Sequence, residues 1–171
     1  MLDFVSKSSA NTITLINLLF GSLSLVSTLD QNYRTAAFFI LLAMVMDGLD
    51  GRLARRLGII SEIGKELDSL CDLVSFGVAP AILLYSQVLQ PFPFMLGLIA
   101  AVLYIMCGAF RLARFNVLNI KDYFVGIPIT LAGAALAIVS LCSAFIPGYI
   151  ILVVTIFLAY MMISNFKVRK F

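Results

Sequence analysis

Residues 47–72 read DGLDGRLARRLGIISEIGKELDSLCD and contain six of the nine acidic residues in a chain of 171. The stretch covers the ends of two predicted membrane spans, 34–53 and 70–89, each of about the 20 residues that a membrane-spanning helix needs. Charged side chains at membrane depth are unfavourable, so they usually face the interior of a helix bundle or a polar cavity. The stretch therefore predicts a polar site at the ends of two transmembrane helices.

The composition of the whole chain agrees with a membrane protein. It is 62% hydrophobic and 12% charged, with a mean hydropathy of +1.07 and a net charge of +3. A soluble domain is usually about 25% charged, so a soluble globular protein, a disordered chain and a basic nucleic-acid-binding domain are all excluded. The sequence contains no histidine, which removes histidine-based acid–base catalysis and histidine-ligated zinc or haem.

We predict an all-α integral membrane protein, a six-transmembrane-helix bundle that forms one membrane domain over residues 1–171. With six spans, eleven of the twelve basic residues fall on one side of the membrane and Arg34 alone falls on the other. The positive-inside rule then places both termini and the acidic stretch in the cytoplasm of a multi-pass cell-membrane protein. The predicted spans are 13–29, 34–53, 70–89, 94–113, 125–144 and 147–165.

Helical spacing places four aspartates on two faces that can converge. At 100° per residue, Asp47 and Asp50 share a face of the second helix, and Asp68 and Asp72 share a face of the third if it starts near residue 62. Four converging carboxylates would repel one another, and divalent cations remove that repulsion. Oxygen-only ligands favour Mg²⁺ or Mn²⁺, and four aspartates would neutralise two such ions. Small residues lie on the same faces: Gly51, Ala54, Gly64 and Ser75.

Other interpretations remain open on these residues alone. Asp68 could cap the start of a helix, and Asp50 could pair with a neighbouring arginine in a solvated loop. A cation-coupled transporter also places carboxylates in a membrane cavity, although it usually carries paired motifs in two repeated halves. Here the second half of the chain has no acidic residue inside a predicted span.

The pattern Asp47-x2-Asp50-Gly51-x2-Ala54-Arg55-x8-Gly64-x3-Asp68-x3-Asp72 is similar to the signature of the CDP-alcohol phosphotransferase family. The resemblance covers essentially the whole chain and implies six helices around a polar, cytoplasm-facing cavity, in a homodimer. It also implies a reaction in which a CDP-linked lipid or alcohol, bound at a centre of two divalent cations (Mg²⁺ or Mn²⁺), is attacked by an acceptor hydroxyl and releases CMP.

The resemblance implies a role for each residue of the motif. Asp47, Asp50, Asp68 and Asp72 would hold the metal ions, and Asp72 would also be the general base. The nucleotide and phosphates would meet a second group of residues, namely Gly51, Ala54, Arg55, Gly64 and, in the first span, Asn17 of TLINLLFG. For Asn17, a hydrogen bond between helices is an equally good interpretation.

Three segments resemble the serine-transferring members of that family: SEIGKELDSLCDLVSFGVAPA at 61–81, RLARFN at 111–116 and FVGIPIT at 124–130. Thr130 stands where a second proline is common. Arg111 and Arg114, one helical turn apart, would bind the serine carboxylate, although they could instead hold a phosphate-bearing acceptor or lipid headgroups.

The expected substrates are therefore a lipid donor and a small acceptor. The donor would be a CDP-diacylglycerol-type lipid or an archaeal-type CDP-ether lipid, lying among the membrane lipids. The acceptor would be L-serine, with glycerol 3-phosphate or an inositol phosphate as the alternatives within the family. No nucleic-acid partner is expected.

Overall fold

The computed structural model describes residues 2–57, 62–118, 123–164 and 167–169, with side chains for 12–49, 62–117 and 126–164. Two short strands, β1 (Tyr123–Val125) and β2 (Lys167–Arg169), pair antiparallel, which the sequence analysis did not predict. The six helices are α1 (Leu2–Leu29), α2 (Tyr33–Leu57), α3 (Glu62–Leu89), α4 (Leu96–Leu118), α5 (Ile129–Leu141) and α6 (Gly148–Ile163).

The predicted six-helix membrane bundle is confirmed in the number and order of its helices, and their ends differ from the prediction. Three segments are long and apolar enough to cross a membrane, whereas α5 and α6 are shorter apolar helices. The predicted third span began at residue 70, whereas α3 starts at Glu62, the start that the shared face of Asp68 and Asp72 requires. The three long segments are Thr12–Leu29, Glu62–Leu89 and Pro93–Val117.

Helix α3 lies at the centre of the bundle and contacts each of the other five helices. Around it, α1 packs along α2, and α4 packs along α6. On α2 the alanines Ala36, Ala37 and Ala43 are buried, while Phe38 and Val45 are exposed. A helix that is apolar on its outer face as well as its inner face is typical of a membrane protein, because the outer face meets lipid.

Two segments of α3 have wide π-helical turns. Regular α-helix over Glu62–Asp72 is followed by a π-helical segment at Leu73–Val78, and α-helix over Ala79–Leu84 is followed by a second one at Tyr85–Leu89. Such turns are rare in proteins, and many of those that do occur lie at functional sites. The first begins directly after Asp72, at the acidic end of the helix.

Because of Pro80, the first wide turn lacks a backbone hydrogen-bond donor, and a neighbouring helix supplies one. Proline has no N–H, so the carbonyl of Phe76, four residues earlier, lacks its α-helical donor. The hydroxyl of Tyr104 on α4 donates a hydrogen bond to this carbonyl over 3.1 Å, and both residues are buried. Gly133 on α5 packs at the same place, where a Cβ atom would lie 2.7 Å from the Phe76 oxygen. The wide turn is thus held between α4 and α5.

The segment between α4 and α5 is fixed against the end of α6. Gly126 has a φ of +75°, and a Cβ atom there would lie 2.6 Å from the carbonyl oxygen of Met162. The N–H of Ile127 donates to the carbonyl of Met161 over 3.3 Å. Glycine is the residue that allows both this φ and this close approach. The FVGIPIT segment therefore has a structural function at the point where α5 begins.

Replacing Tyr104 with Phe tests the hydrogen bond to the wide turn. Tyr104→Phe removes a buried hydrogen bond to the Phe76 carbonyl, and such a bond contributes about 0.5–1.5 kcal/mol to stability. We expect a lower Tm in detergent, whereas Tyr160→Phe, at a tyrosine that is 65% exposed, should leave the Tm unchanged. Equal Tm values for both variants and the unmodified protein would contradict this account.

Candidate functional site

Three carboxylates meet between α2 and α3. One oxygen each of Asp47, Asp68 and Asp72 lie within 4.8 Å of one another. Asp68 and Asp72 are one turn apart on α3, and Asp47 reaches them from α2. Asp50 lies one turn beyond Asp47 along α2, but its side chain is outside the described residues.

The donor set of this cluster suits a hard cation. Asp72 is buried, Asp47 and Asp68 are partly exposed, and the Oδ1 atom of Asp68 is buried with no hydrogen-bond partner. Three carboxylates at this separation repel one another unless a positive charge offsets them. An oxygen-only set with an unsatisfied acceptor fits Mg²⁺ or Mn²⁺, both of which prefer carboxylate ligands.

Asn17 on α1 contacts the cluster from a third helix. It is fully buried, and its Nδ2 atom donates to Oδ1 of Asp72 over 3.2 Å. Its own Oδ1 atom has no hydrogen-bond partner, while its backbone carbonyl accepts a hydrogen bond from the Ser75 hydroxyl over 3.1 Å. Of the two interpretations of Asn17, the structure shows the hydrogen bond between helices. The acceptor of that bond is Asp72, an aspartate of the cluster.

Gly21 allows α1 to approach α3 closely enough for this contact. It lies one turn after Asn17, and a Cβ atom on it would lie 2.8 Å from the Cα atom of Ser75. Any larger residue would therefore separate the two helices at the level of Asp72. In the sequence, this glycine of TLINLLFG follows Asn17 by four residues, and that spacing is the signal for a shared helix face.

Helix α4 contributes two arginines with different surroundings. Arg111 is 8% exposed and interacts electrostatically with Asp72 and Arg114. Its Nε atom is buried without a hydrogen-bond partner. Arg114 donates from Nη1 to the carbonyl of Ile163 over 3.2 Å, at the end of α6. Of the predicted pair, Arg111 is associated with the aspartate cluster, and Arg114 also binds the end of another helix.

The remaining predicted residues occupy the same two helices. Gly64 lies on α3, one turn before Asp68 and on the same face. The α2 backbone includes three more predicted residues, whose surroundings are outside what the structure describes: Gly51, Ala54 and Arg55.

The structure also decides two of the alternative interpretations. Helix α2 continues to Leu57, so Asp50 lies within a helix and not in a solvated loop. Helix α3 starts at Glu62, so Asp68 lies more than one turn inside the helix and does not cap it. Both aspartates are therefore held by helical backbone at the acidic end of the bundle.

Asn116, the last residue of RLARFN, had no predicted role and contacts three residues at the start of α3. Its Nδ2 atom lies 3.0 Å from Oγ of Ser69, and 3.2 Å and 3.3 Å from the two carboxylate oxygens of Glu66. The Lys65 ammonium group donates to the Asn116 backbone carbonyl over 3.1 Å. No pattern in the sequence indicated that these residues meet, because they are about fifty positions apart.

Comparison with known proteins identifies the family. The model of the CDP-alcohol phosphatidyltransferase family matches residues 7–163. The chain belongs to this family. The family is one of transferases and is generally metal-dependent, which agrees with the acidic cluster.

Several curated relatives are similar over most of the chain. The CDP-diacylglycerol–serine O-phosphatidyltransferase of Bacillus subtilis is 42% identical over 161 residues, which cover 93% of this chain and 88% of that protein. The protein of the same name from Methanocaldococcus jannaschii is 39% identical over 159 residues, covering 93% and 72%. The archaetidylserine synthase of Methanothermobacter thermautotrophicus is 38% identical over 140 residues, covering 80% and 57%.

Substituting Gly21 tests the close approach of α1 to α3. The added methyl of Gly21→Ala meets the α3 backbone at Ser75, and overpacking of this kind destabilises by about 1–3 kcal/mol. We expect a lower Tm in detergent and weaker Mn²⁺ binding, because Asn17 moves away from Asp72.

Gly48→Ala is the matched control, since a Cβ atom there has nothing within 4 Å. Its Tm should equal or slightly exceed that of the unmodified protein, because alanine favours a helix by up to about 1 kcal/mol over glycine. Equal Tm values for the two glycine variants would contradict the packing argument.

Proposed function

We propose that this protein is a phosphatidylserine synthase. It would transfer the phosphatidyl group of CDP-diacylglycerol, or of an ether-linked counterpart, to the hydroxyl of L-serine and release CMP. The observation that carries the proposal is the convergence of Asp47, Asp68 and Asp72, accompanied by the buried Arg111, in a chain whose similar relatives are named for serine as the acceptor.

The aspartates are proposed to form the metal centre. Asp47, Asp68 and Asp72, with Asp50, would hold two divalent cations, Mg²⁺ or Mn²⁺, which stabilise negative charge on the pyrophosphate and on the departing CMP. Around them the small side chains would let the nucleotide approach the helix backbone, and a guanidinium would meet a phosphate. These residues are Gly51, Ala54, Gly64 and Arg55.

Asp72 is proposed to take the proton of the serine hydroxyl. The hydrogen bond from Asn17 orients its carboxylate within the bundle. The serine oxygen would form a bond to the phosphorus distal to cytidine while the bond from that phosphorus to the CMP oxygen breaks. The proton would pass to the carboxylate, and CMP would leave with the electron pair of the broken bond.

Arg111 is proposed to bind the serine carboxylate. A buried guanidinium with an unsatisfied Nε donor, next to Asp72, favours an anionic group at this position. Its planar fork of donors matches a carboxylate. The same fork also matches phosphate, so acceptors with a phosphate group have to be tested beside serine. Arg114 would contribute charge while also holding the end of α6.

The family match favours a transferase over a cation-coupled transporter. We also propose, from the distribution of basic residues, that both termini and the site face the cytoplasm. From the family resemblance we propose a single membrane domain that works as a homodimer. Because one of the similar relatives is named for an archaetidyl product, ether-linked donors are included with diacyl donors.

The experiment that tests the reaction measures CMP release by purified protein with CDP-diacylglycerol and Mn²⁺ or Mg²⁺. L-serine, glycerol 3-phosphate and inositol phosphates are supplied separately. We expect release with serine alone and its loss on adding a chelator. CMP release with a different acceptor alone would contradict the assignment of serine as the acceptor, while the family's reaction would still hold.

The same assay tests the metal centre through Asp47. Asp47→Asn keeps the shape of the side chain but removes a charged ligand, so turnover should fall to background while the Tm in detergent without metal stays close to that of the unmodified protein. Activity near that of the unmodified protein would contradict the di-metal assignment.

Arg111→Ala tests the acceptor site. We expect the KM for serine to rise by at least about tenfold, since a charge-assisted contact is worth about 1.5–3 kcal/mol, with a much smaller change in the KM for the lipid donor. Arg114→Ala is the comparison, and because its side chain binds the end of α6 it should raise the KM for serine less than Arg111→Ala does. Equal effects of Arg111→Ala on the two KM values would contradict a role in serine binding.

A further inference from the structure

A polar junction joins the end of α4 to the beginning of α3, beside the aspartate cluster. At its centre, the amide of Asn116 has two N–H hydrogens, and the structure provides partners for both. The Ser69 oxygen lies 3.0 Å from Nδ2, and the Glu66 carboxylate oxygens lie 3.2 Å and 3.3 Å from it. None of these three residues has a role in the proposed reaction.

The backbone of α4 takes part in the same junction. Helix α4 ends at Leu118, so the carbonyl of Asn116 is among the last four, which have no donor within the helix. The ammonium group of Lys65 supplies that donor over 3.1 Å. A cation at this position also interacts favourably with the negative end of the helix dipole. The junction therefore fixes both the side chain and the backbone at the end of α4.

The junction residues and the metal ligands lie on adjoining faces of one short helical segment. At 100° per residue, the face of Lys65, Glu66 and Ser69 is rotated by about 90° from the face of Asp68 and Asp72. Hydrogen bonds on the first face therefore restrict rotation of the second. A rotation of 20° would move a carboxylate about 5–6 Å from the helix axis by about 2 Å. A misplacement of about 1 Å is enough to reduce catalysis by about a hundredfold.

The surrounding packing does not by itself hold this segment to α4. The residues Glu62–Asp72 pack mainly along α1, whereas α4 packs against the wide turn at Leu73–Val78 and the residues that follow it. Asn116 thus bridges the two helices at the end where they are less closely packed. Arg111 lies on the same helix as Asn116, so the bridge also sets its distance from Asp72.

We propose that Asn116 is a positioning residue, which holds the Asp68 and Asp72 carboxylates at the rotation and distance that metal binding and Arg111 require. The expected effect of Asn116 on catalysis rests on the proposed function. The expected effect of Asn116 on metal binding does not, because metal binding depends only on the aspartate cluster.

The test compares Asn116→Ala with Val117→Ala, a neighbouring substitution at a side chain that is 79% exposed. Mn²⁺ is titrated into purified protein and the rise in Tm is followed, since a ligand that binds the folded state raises its stability. We expect Asn116→Ala to need about tenfold more Mn²⁺ for half of the effect, and Val117→Ala to match the unmodified protein. In the CMP assay kcat should fall by about 10–100-fold, with less change in the KM for the lipid donor.

Exchanging the amide and the carboxylate between positions 116 and 66 distinguishes a positioning role of Asn116 from a general loss of stability. Asn116→Asp places a second carboxylate against Glu66, so it should be more damaging than Asn116→Ala. Adding Glu66→Gln to Asn116→Asp restores one amide and one carboxylate in reversed order, and it should recover part of the Mn²⁺ response and of kcat. Ser69→Ala, which removes the hydroxyl contacts with Asn116 and leaves those of Glu66 and Lys65, provides a milder variant if Asn116→Ala does not fold.

Each outcome of these measurements decides the proposal. An unchanged Mn²⁺ titration in Asn116→Ala, or a lower Tm with an unchanged titration, would overturn it. Failure of the double variant to recover any Mn²⁺ response would also overturn it. If the unmodified protein releases no CMP with any acceptor, the proposed function fails, and the Mn²⁺ titration still decides whether Asn116 positions the aspartates.

Discussion

The contact between Asn17 and Asp72 is the interaction on which the rest of the site depends. A buried carboxylate in a helix bundle is unfavourable unless donors or cations surround it. The Asn17 amide supplies one donor, Arg111 supplies positive charge nearby, and the close approach at Gly21 makes the first of these contacts possible. Three helices are therefore tied together around one carboxylate, and Asp68 and Asp47 occupy the remaining space beside it.

The wide turn of α3 at Leu73–Val78 adjoins the same site on the side that packs against apolar helices. Pro80 removes a backbone donor, Tyr104 supplies another from α4, and Gly133 lets α5 pack closely on the buried carbonyl of Phe76. The turn begins immediately after Asp72, so the acidic segment of α3 and its apolar segment need not follow one regular helical path.

Much of the fold could be predicted because its cause is local. Six apolar runs, separated by prolines and charged stretches, predict six helices, and carboxylates spaced at three and four residues predict a shared face. The apolar span predicted for α3 began at residue 70, after the polar first turns of the helix. In these turns Glu66 and Ser69 bind Asn116, and hydropathy cannot detect a polar residue whose partner lies about fifty positions away.

The sequence by itself determined the class of protein, the helix order, the acidic motif and the family resemblance, because composition, periodicity and motif spacing are properties of neighbouring residues. Only the tertiary structure decided which side chains meet. It brought Asn17 to Asp72, assigned Arg111 and Arg114 different surroundings, and revealed Asn116 as a bridge between helices. These contacts depend on interhelical distance and rotation, which close packing of the whole bundle determines and no single segment encodes.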